Sequence, residues 1–233
     1  MSWFYIVITI AAVASIVYFM RHGGKNNQLA FIDNYRFHPA IRKKLAAKHT
    51  QLNDQQLDLA FDGLRDYFHI CNQAGNKMVA MPSQVVDDAW HEFILFTRAY
   101  QQYCKKALGR YLHHTPAEAM SSPTDAQDGI KRAWRLACAK DEIDPKAPLV
   151  LPLLFGIDAR LNIENGFRYS PDCRNPNSPN YGSGYCASHI GCSSGCGGDS
   201  GALPGSGGSD GGFLDGFGGS DGCGGGSCGG GGD

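Results

Sequence analysis

Glycine decides how much of this chain can build a core. Residues 182–233 hold 23 of the sequence's 31 glycines, and the segment GGSDG occurs twice there, at 207–211 and 218–222. Ordering a glycine removes more backbone freedom than ordering any other residue, and it buries no side chain in return. A packed domain must therefore come from what precedes, and residues 173–233 read as a disordered Gly/Cys-rich tail. No Lys or Arg follows Arg174, while Asp199, Asp210, Asp215, Asp221 and Asp233 remain. The tail is anionic, without Arg-Gly repeats or a basic groove, which sets nucleic acid aside as a partner. No Lys, strand or helix start accompanies the glycines, so a phosphate cradle is set aside as well.

Upstream of the tail the periodicity is helical. Asn53 followed by Gln56 is a capping-box pair, and Leu57, Ala60, Phe61, Leu64, Phe68 and Cys71 then recur at i, i+3, i+4 and i+7 until Gly75 ends the run. A central helix is expected from Ser83 to about Leu108, closed by Gly109. Its apolar face is Ala89, Phe93, Tyr100 and Cys104, with Trp90, Ile94 and Thr97 beside them. Ser122-Pro123-Thr124-Asp125 opens another helix with Ile130, Ala133, Trp134, Ala137 and Cys138 on its inner stripe, and residues 149–161 hold a short last one. A basic stretch over 36–48, broken at its start by Pro39, carries Arg42, Lys43, Lys44 and Lys48 for anionic headgroups or for solvent. The expected fold class is all-α, with a compact domain of four to five helices over residues 31–172.

Residues 3–20, WFYIVITIAAVASIVYFM, carry no charge. As a helix this run is about 27 Å long, close to the roughly 30 Å hydrocarbon core. It lacks the basic start and small-residue end of a signal peptide, so it reads as an uncleaved transmembrane helix, with residues 21–30 as a linker. Arg21, Lys25 and Arg36 follow it, which places the N-terminus outside and the domain in the cytoplasm of a single-pass protein, in a bacterial inner membrane. Nine cysteines, an odd count with several on apolar faces, suit a reducing compartment.

Two clusters hold side chains that can do chemistry. On the central helix Asp87 and Asp88 lie one turn before His91, within reach across i,i+4 and i,i+3, and His113 or His114 can fold back from the exit loop. Such a set can hold Zn²⁺ with a position open for water, as in a metal-dependent hydrolase, or Asp87 or Asp88 can simply orient His91. In the tail Cys173, Cys186, His189, Cys192 and Cys196 offer thiolate and imidazole to Zn²⁺, though no paired C-x-x-C knuckle is present. Cys104 is a poor nucleophile, because a thiol on an apolar stripe stays protonated. No complete catalytic motif emerges, and the leading functional expectation is a membrane-anchored binding or scaffolding module for a protein partner.

Trp90-His91, Leu95, Tyr100, Cys104 and Gly109 stand in the pattern W-H-x-x-x-L-x(4)-Y-x(3)-C-x(4)-G. Together with the glycine-rich tail, this pattern resembles the glycine-rich domain-containing protein family of plants and bacteria. Plant members of that family usually read W-H-x-H with a proline before the tyrosine, where this chain has Phe93 and Thr97. The resemblance implies a helical domain over roughly residues 30–170 and no assigned chemistry.

Overall fold

The computed structural model describes residues 2–114, 123–171, 185–186 and 190. Most of the tail expected to be disordered, with Cys173, His189, Cys192 and Cys196, lies outside those residues, while Tyr185 and Cys186 within it form a strand and Ile190 packs on the core. The described residues form seven α-helices: α1 (Ser2–Asp33), α2 (Pro39–Lys48), α3 (Asp54–Ala74), α4 (Gln84–Ile94), α5 (Thr97–Ala107), α6 (Pro123–Lys140) and α7 (Leu153–Arg160). A two-residue parallel ladder joins β1 (Tyr169–Ser170) to β2 (Tyr185–Cys186), with Ser170 opposite Cys186.

Helix α3 packs against most of the others. Its first turn is closed reciprocally: the Gln56 amide donates to Asn53 Oδ1 and the Asn53 amide donates to Gln56 Oε1, each at 2.9 Å. Leu57, Ala60, Phe61, Leu64, Phe68 and Cys71 are buried, and Gly75 stops the helix at φ 62°. Gly63 sits where α3 meets α4 and α7. A Cβ there would stand 2.8 Å from Val86 Cγ2 and 3.1 Å from Ile157 Cδ1, so a larger residue would force the three helices apart. Around this contact lies an aromatic core from four parts of the chain, with Tyr35 and Tyr103 ring centroids at 4.6 Å, Phe68 and Tyr103 at 4.8 Å, and Phe37 and Phe93 at 5.2 Å.

Two expectations are corrected. The apolar run 3–20 is the first part of α1, which continues through Gly23-Gly24 to Asp33 without a linker. Two mid-helix glycines cost about 1 kcal/mol each, and contacts farther on offset that cost. Ile32 is fully buried, Leu29 and Phe31 pack against the core, and Asn72 Nδ2 donates to Gln28 Oε1 at 2.9 Å. The helix read as a span thus carries Arg21, Lys25 and Asp33 along its length, and its end from Gln28 onward belongs to the packing of the domain. Among the described residues no helix is long and apolar enough to cross a membrane. The transmembrane helix, the N-out single-pass topology and the inner-membrane location are withdrawn on that finding.

Second, the central helix is two. Phe96 leaves the helical region at φ −84°, ψ 58°, and the chain restarts as α5 with the Tyr100 amide donating to the Phe96 carbonyl at 2.9 Å. The basic residues Arg42, Lys44 and Lys48 of α2, read as facing headgroups or solvent, form ion pairs at the domain's surface. Arg42 pairs with Asp54 and Asp58, Lys44 with Glu92 at 3.0 Å and Lys48 with Asp88 at 2.7 Å, which ties α2 to α3 and α4.

Candidate functional site

The phase of α4 is fixed before its functional residues are reached. Ser83 Oγ accepts from the Val86 amide at 3.3 Å and donates to Asp158 Oδ1 at 2.7 Å. The same Asp158 carboxylate accepts from the amides of Gln84 at 2.7 Å, Val85 at 3.2 Å and Phe167 at 2.9 Å. Asp158 is fully buried, so a single side chain on α7 holds the orphan donors at the start of α4. With the start fixed, Trp90 points inward at 3% exposure, against Tyr67 and Phe68. Asp87 and His91, one turn apart, then face outward with side chains 21% and 49% exposed.

The third member arrives from the far side of α5. Gly109 adopts φ 68°, which an L side chain resists, and there the chain turns back along α5. Trp90 Nε1 donates to Tyr100 Oη at 3.1 Å, and Tyr100 Oη donates to the Leu112 carbonyl at 2.6 Å. Two residues on, His114 Nε2 lies 3.1 Å from Asp87 Oδ1, while His91 Nδ1 lies 3.5 Å from Asp87 Oδ2. The two imidazole centroids are 4.2 Å apart, and the His114 ring rests 4.7 Å from that of Trp90.

The donor atoms of Asp87, His91 and His114 all fall within 4.8 Å of one another. Bonds of about 2.05 Å to a tetrahedral Zn²⁺ put donors about 3.3 Å apart; His114 Nε2 lies 3.1 Å from one Asp87 oxygen and His91 Nδ1 3.5 Å from the other, so the group approaches that spacing without the two imidazoles sharing one carboxylate oxygen. Two imidazoles and a carboxylate are also the donor types that divalent transition metals take. The half-exposed His91 leaves one side of the group open to solvent.

Of the other sequence candidates, Asp88 turns the opposite way. Its carboxylate is buried against His49, with Nε2 to Oδ2 at 2.8 Å, and takes the Lys48 ammonium on its second oxygen. His113 is exposed and lies against Tyr111, ring to ring at 4.7 Å. Cys186 is described only as part of β2, and the other residues of the tail cluster lie outside the described residues. Cys104 is buried, and desolvation raises its thiol pKa against an opposing hydrogen bond from the Leu112 backbone. Cys71 and Cys138 are pushed up to about 12 by burial, so none of the three is a nucleophile at rest. Sequence reasoning missed His49 and Asp158, which act over 39 and 73–75 residues and carry no local signal.

A family model described as UCP032817-like matches residues 27–190. That match replaces the glycine-rich domain-containing family suggested by the Trp-His, Leu, Tyr, Cys and Gly pattern: Trp90, Tyr100, Cys104 and Gly109 are residues this domain needs to pack and turn, a requirement that does not single out that family. No curated protein and no solved structure matches the chain.

Proposed function

Since the chain belongs to the UCP032817-like family, we propose from its side chains that the domain is a binding module for a divalent transition-metal ion, with Zn²⁺ the ion its ligand types suit. Asp87, His91 and His114 are the protein ligands. The observation that carries this reading is the return of His114, across a separate helix and a glycine turn, onto the carboxylate that already faces His91. A histidine needed only to cap the end of α5 would not have to reach back to α4.

Three protein ligands leave a position of a tetrahedral ion for water or for a donor from another molecule. That is the starting arrangement of metal-assisted hydrolysis, and equally of a site that grips a partner through its own donor atom. The first half of α1 supports an additional partner-binding role, because Trp3, Tyr5 and Ile10 are 64–78% exposed on one continuous helix.

The test is metal content and metal titration of the full-length chain. Wild type is expected to bind one Zn²⁺ or Co²⁺ per chain, and His91→Ala, His114→Ala and Asp87→Ala are each expected to bind it far more weakly, measurable only at high Co²⁺. Asp88→Asn, on the opposite side of α4, should retain it. A wild-type chain that takes up no Co²⁺ or Zn²⁺ while folded removes the reading and leaves Asp87 as the anchor of two structural histidines.

A further inference from the structure

The metal reading leaves one question that the geometry answers: what makes His114, rather than the neighbouring His113, a ligand. Residues 111–114 form no helix or strand, so nothing in their own backbone pattern fixes which imidazole faces α4. The fixation comes from the side. Leu112 is held through its backbone carbonyl, which accepts from the Tyr100 hydroxyl at 2.6 Å. Tyr100 is in turn oriented by the Trp90 indole N–H at 3.1 Å, and Trp90 is on the same helix as Asp87 and His91. One connected set of hydrogen bonds thus runs from the helix of the first two ligands to the segment that carries the third.

We propose that Tyr100 is a positioning residue of the metal site, and that its hydroxyl, bridging Trp90 and Leu112, sets His114 against Asp87 and His91. This rests on the reading of Asp87, His91 and His114 as ligands. Tyr100 does not touch the ion. Alternating burial along residues 111–114 matches the choice between the two histidines: with Leu112 held inward at 9% exposure, His113 is turned out beside Tyr111, and His114 faces in against Trp90. The hydroxyl is buried, and it donates to Leu112 while accepting from Trp90, so its removal leaves both a carbonyl and an indole N–H without a partner.

Tyr100→Phe in the full-length chain separates positioning from bulk packing, since the ring is kept. Co²⁺ titration followed by visible absorption is expected to show binding weakened about 10–100-fold, the range for groups that orient a metal ligand, with an absorption envelope shifted toward that of His114→Ala. In the Tyr100→Phe/His114→Ala double variant the Tyr100 effect should vanish, because a hydroxyl that acts only through His114 has nothing left to position. A purely structural hydroxyl would lower the melting temperature and leave the Co²⁺ spectrum and the cycle additive, which overturns the proposal. The ¹⁵N shifts of the His114 imidazole in metal-free protein give a second readout. They should move in Tyr100→Phe as the contact with Asp87 is lost, and unchanged shifts overturn the proposal whether or not Co²⁺ binds. Failure of wild type to bind Co²⁺, by contrast, removes the ligand assignment itself.

Discussion

Trp90 and His91 are neighbours in sequence with opposite duties. At 3% exposure Trp90 packs on Tyr67, Phe68 and His114 and donates to Tyr100. Truncating it to Ala removes that packing and a buried hydrogen bond, and it should cost about 3–5 kcal/mol in denaturant titrations. His91→Ala, at a side chain half open to solvent, should cost no more than about 1 kcal/mol. Equal losses in the two variants would mean that α4 is rotated from the phase described. The buried thiols make a second prediction at this scale. Cys71 and Cys138 have pKa values pushed up to about 12 by burial, so at pH 8 only about one in 10,000 is ionised. Iodoacetamide at pH 8 should therefore leave both unmodified in the folded protein and alkylate them readily once denaturant is added. Rapid labelling of Cys71 or Cys138 in the native chain, located by peptide mapping, would contradict their burial.

At the scale of elements, the beginning of α4 depends on a residue from α7. Asp158→Ala removes acceptors from Ser83, Gln84, Val85 and Phe167 at once, all near or inside the core. A loss of about 3 kcal/mol or more is expected, with faster hydrogen exchange at the amides of Gln84 and Val85 than elsewhere in α4. Such elements were unequally legible. The Asn53–Gln56 box, the Gly75 and Gly109 ends and the inner stripe of α6 could be read from sequence because each is a short-range rule satisfied by neighbours. The corner at Leu95-Phe96 could not, since neither Gly nor Pro marks it. It exists because Phe96 packs on the core and lies 5.3 Å from the His38 ring, a contact from the start of α2. The continuity of α1 through Gly23-Gly24 was hidden for the same reason, as its far end is held by residues of α3. At the site, Asp87, Asp88, His91, His113 and His114 were all visible as candidates. Which aspartate and which histidine face each other depends on His49 and Tyr100, and neither contact is local.

For the whole molecule, an ion that binds only the folded chain stabilises it by mass action. Zn²⁺ at about 100 times its dissociation constant should add about 2.7 kcal/mol. For a chain of this size that raises the melting temperature by about 5–10 °C, reversibly with a chelator, in wild type but not in His114→Ala. An unchanged melt in wild type would mean that the ion finds no preformed site. The size of that preference follows from the clamp on Leu112. His91 and His114 are 23 positions apart in the chain. In an unfolded polymer, bringing two such points together costs roughly 3 kcal/mol in loop-closure entropy before any bond to a cation forms. Here Gly109 and the Tyr100 hydroxyl close that loop as part of folding itself. A cation bound there would therefore meet a ring already shut, and its grip on the chain would measure how firmly that ring is held.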